Sequence, residues 1–262
     1  QTDYLLNDVA IIQRIIVYHQ MKKISFEYDI PDWKGVKNRQ LRFALPINAR
    51  EASISYDVPM GVSTVGETEL KMKPGGWAWG GTYRHDPSET HPREVQNFVS
   101  ANAGDFGLTM SSGISVFDWI DPTVDAVTYP VLQAIMLSSH KSCHGEGNWY
   151  LQEGAHQFRF SITSHKPGWK NGYAFGIGNN HDFYAVPKQN NQKTGTLPAS
   201  FSFIKTSSPL VRITAFKKAE SGDQAVIRFV EMKGENEPAS IQFYKPFQSV
   251  DRVDLIEEEQ GK

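Results

Sequence analysis

Short runs of alternating apolar and polar residues, each closed by turn residues, recur at about the eight-to-twelve-residue spacing of all-β sandwiches and barrels. Almost no segment shows the 3.6-residue period of an amphipathic helix. Ile24, Phe26 and Tyr28 alternate in this way, as do the runs Leu41 to Pro46 and Ala52 to Met60. From Leu5 to Tyr28 isoleucine and valine cluster and no capping box precedes them, so two strands are expected there. Pro31-Asp32-Trp33-Lys34-Gly35 is expected to form a turn, because Pro presets φ, Asp bonds its own backbone and Gly admits a left-handed conformation.

The chain has 262 residues, enough to bury a large core. Its 27 basic and 29 acidic residues leave a net charge of −2, which gives no electrostatic footprint for nucleic acid. Apolar runs such as Val9 to Val17 and Val131 to Leu137 are too short to cross a bilayer as helices. A soluble protein without a membrane partner is therefore expected. The single cysteine, Cys143, excludes an internal disulfide and leaves the redox compartment open. The chain starts at Gln1 and ends in an acidic run, and both ends read as cut.

Strands continue through Glu94 to Val99, Gly104 to Met110, Tyr129 to Leu137 and Gly154 to Ile162. Lys188 to Pro198 is polar and contains Gly, so it reads as a linker or long loop. Beyond it, Leu210 to Glu220 and Gln224 to Val230 form an expected hairpin around Ser221-Gly222-Asp223, with Ala239 to Tyr244 as a third strand.

These segments carry a resemblance. Glu94 to Val99, Gly104 to Met110, Tyr129 to Leu137 and Gly154 to His165 stand in the order of four family patterns: "P-x-x-x-Q-N-F-V", "G-x-G-L", "L-x-L-x-R-S" and "G-x-H-x-F-x-Y-x-L-x-x-H". Ile24 to Trp33, Leu41 to Pro46 and Ala52 to Gly61 precede them, as "I-D-F-x-x-x-V-D-W-x-E", "L-R-V-x-F-P" and "A-x-Y-E-I-P-F-G" do in that family. The chain resembles the C-terminal half of glycoside hydrolase family 38, the α-mannosidases, from about Val17 to Glu257. It departs from the pattern at Phe160 (usually Tyr), Ile162 (usually Leu), Ser138-Ser139-His140 (usually ending "R-S") and Arg228-Phe229-Val230-Glu231 (usually "R-L-Y-N").

The resemblance implies an all-β chain: a large two-sheet super-sandwich of the galactose-mutarotase-like kind over residues 1–200, then part of a smaller sandwich over 201–262. It also implies that the aspartate nucleophile and zinc of a retaining α-mannosidase lie in an N-terminal barrel that nothing in this sequence matches. No catalytic residue and no metal ligand is therefore assigned to this chain. Its expected partners are that barrel, on the same polypeptide, and α-mannoside glycans. The expected role is to pack on the barrel and line the rim of its pocket. A surface left uncovered by the barrel should be apolar. A periplasmic or secreted location is favoured over a cytoplasmic one.

Rim candidates come from two aromatic or histidine-bearing loops. Between Pro74 and Pro92, Gly75, Gly76, Gly80 and Gly81 bracket Trp77 and Trp79, with Arg84 nearby. Such indoles can stack on a sugar, although buried rings covering the sandwich are the ordinary alternative. The second loop offers His140, His144 and Trp149 in place of the family's arginine. His140, Cys143 and His144 could suggest zinc, but a four-coordinate site wants a second ligand pair, so a solvated loop is the better reading. Asp118, Asp121 and Asp125 fit no calcium loop and read as turn aspartates. Two alternative functions are a mutarotase-like epimerase and a free-standing carbohydrate-binding module. The epimerase would need His85, His91, His156 or His181 to converge with Glu94 or Glu146.

Overall fold

The computed structural model describes residues 1–49, 51–68, 77–78, 81–82, 92–114, 116–120, 129–141, 147–187, 198–235 and 238–258. The chain divides into two compact units, Gln1–Asp182 and Phe183–Lys262.

The first unit is built from β1 (Thr2–Leu6), β2 (Val9–Val17), β3 (Ile24–Trp33), β4 (Arg39–Pro46), β5 (Ser53–Val58), β6 (Gly61–Thr64), β7 (Trp77–Ala78) and β8 (Gly81–Thr82). There follow β9 (Arg93–Glu94), β10 (Phe98–Asn102), β11 (Gly107–Ser112), β12 (Val116–Ile120), β13 (Val131–Lys141), β14 (Trp149–Tyr150) and β15 (Gly154–His165). A 3-10 turn, Trp169–Asn171, leads into α1 (Tyr173–Gly178). One eight-stranded sheet has the order β1-β2-β3-β15-β11-β10-β5-β6. A second, of five strands, has the order β14-β13-β12-β9, with β4 also paired to β13. The all-β sandwich expected from the strand spacing is present.

Alternation explains which side chains meet between the sheets. On β3, Tyr28 and Ile30 are buried in the core and Phe26 packs against it, while Glu27 and Asp29 take the opposite face. β15 repeats the pattern, with Phe158, Phe160 and Ile162 on the core side. Phe43 of β4 stacks on Phe160 with ring centroids 4.3 Å apart, and it also meets Tyr28 at 5.8 Å. A third contact, Tyr56 with Phe117 at 5.2 Å, joins β5 to β12. Aromatic pairs of this kind add about 0.5–1.5 kcal/mol each beyond the area they bury.

Three local expectations change. The chain before Tyr28 forms three strands, because β1 pairs along β2 from Thr2↔Gln13 to Leu6↔Val9. Pro31 and Asp32 lie within β3, and the reversal comes after Trp33, with Gly35 at φ 63° and Asn38 at φ 59°. Pro31 is tolerated because the β2 ladder has already ended at Asp29 and the β15 ladder is bulged opposite it, between Gly154 and His156. The helix α1 was not expected.

The second unit holds β16 (Ile204–Thr206), β17 (Val211–Lys218), β18 (Ala225–Glu231) and β19 (Ile241–Phe243). β17 and β18 form the expected hairpin, closed by Ala219 N–H donating to the Gln224 carbonyl at 2.9 Å. The third expected strand pairs with β16 instead of with the hairpin. Among its described residues only Val211 and Met232 are buried hydrophobics, while Phe203, Phe216, Phe229, Tyr244 and Phe247 are all more than half exposed. Two-stranded ribbons bury too little to be stable by themselves.

Candidate functional site

Two strands in the first unit outrun their neighbours. β15 pairs with β11 only from Phe160 to His165, so Gly154 to Arg159 has β3 on one side and, among the described residues, no strand on the other. β13 pairs with β12 only from Val131 to Ala134, and with β14 only at His140 and Lys141. Ile135, Met136, Ser138 and His140 of β13 and Gln157, Phe158 and Arg159 of β15 line one cavity of about 1210 Å³.

Side-chain groups replace the absent strands. The Ser138 N–H donates to Gln152 Oε1 at 2.7 Å, so a carboxamide satisfies the exposed edge of β13. At the end of β11, Asn180 Nδ2 donates to the carbonyls of Ser112 (2.8 Å) and Asn97 (2.9 Å). That anchor holds Asn179, Asn180 and Asp182 at the cavity wall.

The outer face of β2, β3 and β15 supplies the charged wall. Arg14 Nη1 lies 2.6 Å from Asp29 Oδ2, and Arg159 Nε lies 3.3 Å from Glu27 Oε1. Register explains this pairing, since Glu27 faces Arg14 on one side and Arg159 on the other. The hydrogen bond and charge of Asp29 push the Arg14 pKa above its ordinary value. Arg14, Glu27, Asp29, Gln157 and Arg159 all line the cavity.

Asn179 to Asp182 reach this wall because the 3-10 turn and α1 lie close on β10 and β11. Their floor consists of short polar side chains: Ser100, Thr109 and Ser111 are fully buried. Ser111 Oγ donates to the Gly176 carbonyl at 2.8 Å. Close approach requires glycine here, since a Cβ at Gly172 would come within 2.0 Å of Thr109 Oγ1, and one at Gly176 within 2.5 Å of the Phe98 ring. His165 fixes the same junction, with Nδ1 2.7 Å from the Lys166 carbonyl and Nε2 2.8 Å from Thr109 Oγ1. The carbonyl can only accept, so Nδ1 carries a proton.

Of the six rim candidates, His140 lines the cavity; its Nδ1 is 3.2 Å from the Ser138 carbonyl and its ring 5.9 Å from that of Tyr150. Trp149 sits on β14 opposite Lys141 and holds the Lys37 ammonium 4.9 Å from its ring centroid. The backbone of Trp77 pairs with Thr82, whereas Trp79, Arg84 and His144 fall outside the described residues. Asp118 is engaged by Arg42 at 3.1 Å, and Asp121, Asp125 and Cys143 lie outside the described residues. Among the described residues no three of His, Cys, Asp and Glu come together to hold a metal ion.

The convergence an epimerase would need is not formed by the described candidates. His156 Nε2 is 2.7 Å from the Gln152 carbonyl, and neither His156, His181 nor Glu94 lines the cavity. His85, His91 and Glu146 fall outside the described residues. The cavity's own residues were not anticipated apart from His140. A usable signal was the outward face of β3 and β15, where Glu27, Asp29, Gln157 and Arg159 alternate with core aromatics.

Comparison with known proteins bears on the whole chain. No curated protein matches the sequence. Residues 210–262 match the family model described as the glycosyl hydrolases family 38 C-terminal beta sandwich domain. Among solved structures, a protein in glycosyl hydrolase family 38 from Enterococcus faecalis is similar with a TM-score of 0.70 and 16% identity, over 96% of this chain and 27% of that one. An alpha-mannosidase from Enterococcus faecalis is similar with a TM-score of 0.67 and 15% identity, over 90% of this chain and 25% of that one. The chain thus spans about a quarter of the length of these proteins. Residues 210–262 are thus similar to the family 38 C-terminal β-sandwich domain, and over nearly all its length the chain has the fold of part of a family 38 protein and of part of an alpha-mannosidase.

Proposed function

We propose that this chain is the C-terminal, non-catalytic β region of a retaining α-mannosidase that hydrolyses α-linked mannose in glycans. The observation that carries the reading is the family 38 C-terminal match at 210–262, within a fold that accounts for about a quarter of the family 38 proteins it resembles. The catalytic barrel of the same polypeptide would be its partner, and this chain would pack on the barrel and line the rim of its pocket. His140, beside the cavity, and Trp149, on the neighbouring strand, are the described rim candidates. In this reading zinc belongs to the catalytic barrel.

A retaining glycosidase needs two carboxyl groups about 5–5.5 Å apart, one of them as nucleophile. The two carboxylates that come from adjacent outward positions of β3, Glu27 and Asp29, are each engaged by an arginine, an arrangement that positions them as binding groups. The purified chain, assayed with an aryl α-mannoside and added zinc, is expected to show no turnover. Zinc-dependent hydrolysis that persists through repurification would overturn the non-catalytic assignment.

A further inference from the structure

We infer that the cavity at the open edges of β13 and β15 is a binding site for a neutral oligosaccharide. This goes beyond the reading above, because it asks nothing of a catalytic domain: the walls all belong to the first unit of this chain.

Charge excludes other ligand classes. The lining carries Arg14 and Arg159 against Glu27, Asp29 and Asp182, and both arginines are already paired with carboxylates. A phosphate or polyanion would meet no surplus of positive charge. A hard cation would have to strip Glu27 and Asp29 of their guanidinium partners.

What remains is a wall of groups that both give and accept hydrogen bonds. Gln40, Gln152, Gln157, Asn179 and Asn180 bring side-chain carboxamides, each a donor and an acceptor in one plane. Several of these atoms have internal duties: Gln40 donates to Ser138 Oγ and accepts from Arg42, Asn179 Oδ1 accepts from Lys23 and leaves Nδ2 to offer, both Asn180 bonds use Nδ2 and leave Oδ1, and Gln152 accepts the Ser138 N–H with Oε1 and offers Nε2. A hydroxyl likewise gives and accepts at once. A ligand dense in uncharged hydroxyls is therefore the one whose every polar group can be answered here without burying an unpaired charge.

The apolar part of the wall fits the same ligand. Ile114, Val116, Ile135, Met136 and Phe158 offer carbon surface for the C–H faces of pyranose rings. At about 1210 Å³ the cavity is roomier than the usual pocket for one small molecule, roughly 300–1,000 Å³, so more than one sugar unit can be held. An added peptide strand suits the edges poorly. Gln152 has already taken the Ser138 N–H, and the bulge between Gly154 and His156 interrupts a regular ladder on β15.

The test is saturation-transfer NMR on the 262-residue chain with α-mannotriose, maltotriose and cellotriose, and with triglycine as the peptide comparator. Transfer is expected to at least one trisaccharide and not to triglycine. Arg159→Ala and Glu27→Gln should each weaken that binding about tenfold, the scale of one charge-assisted hydrogen bond, while Lys205→Ala in the second unit leaves it unchanged. Should Arg159→Ala fail to fold, Gln157→Ala, exposed on the same face of β15, carries the same expectation. Absence of transfer to all three sugars, transfer equal to that of triglycine, or binding indifferent to the cleft substitutions would overturn the inference. None of these results would touch the proposed place in an α-mannosidase, and catalysis by the chain alone would not touch this one.

Discussion

Trp33 shows how one side chain ties the sandwich together. Its side chain is almost fully buried, and Nε1 donates to the Leu151 carbonyl at 2.8 Å and lies 3.1 Å from Ser139 Oγ. One indole therefore links the end of β3 to β13 and to the segment that enters β15. Gly35 makes room for that segment: a Cβ there would stand 2.5 Å from Leu151 Cβ, at a φ of +63°. Replacing Trp33 by Phe should cost about 1–3 kcal/mol, the penalty for losing a buried donor, because Leu151 O keeps only the Ser139 hydroxyl, at 2.8 Å. Urea unfolding should show a lower midpoint at unchanged slope. A midpoint equal to that of the parent chain would mean that the indole bonds contribute nothing net. Sequence reasoning placed Trp33 in a turn because Pro31 and Gly35 flank it. That Pro31 sits within a strand depends on a bulge in β15, more than a hundred residues away in sequence, which no local pattern records.

At the scale of elements, the strands whose alternation is steep were legible: the Ile24–Tyr28 run, Leu41–Pro46 and the 210–230 hairpin all appear where the period-2 pattern put them. α1 was not legible, because it is six residues long and contains Gly176 and Gly178, which helix propensity disfavours. It persists because Gly172 and Gly176 let its backbone approach β10 and β11. The cavity was hidden for another reason. Arg14, Gln40, Ile135, Arg159 and Asn180 come from separate elements and meet only through the strand order.

In the second unit an ion-pair cluster gives an element-scale prediction. Glu257 Oε1 lies 2.8 Å from Lys217 Nζ, and Oε2 accepts the Glu220 N–H at 2.7 Å. The hydrogen bond from Lys217, then that from the Glu220 backbone, hold the Glu257 carboxyl below its ordinary value of 4.5. A carboxyl with a depressed folded pKa contributes stability above its unfolded value and loses it as pH falls through the folded one. Docking of the 254–258 segment on the β17–β18 hairpin should therefore hold at pH 7 and loosen below about pH 4.5, where protonation begins in the unfolded segment. Amide exchange at Glu220 and Glu257 should report it, and Glu257→Gln should flatten the response. A parent chain with pH-independent protection ratios would contradict this role of the cluster.

For the whole molecule, apolar surface is unevenly distributed. In the first unit the core side of β1 and β2 continues into Leu6, Ile15 and Val17, which are 48%, 55% and 73% exposed. In the second unit exposed phenylalanines far outweigh the two buried hydrophobics. Among the described residues no helix is long and apolar enough to cross a membrane. The measurement that bears most directly on the proposed role is α-mannosidase activity of the product of the whole reading frame, compared with the same product lacking residues 1–262. The account predicts zinc-dependent hydrolysis of an aryl α-mannoside by the complete polypeptide and its loss on removal of this region. A complete polypeptide without that activity, or one whose activity is untouched by the deletion, would contradict it.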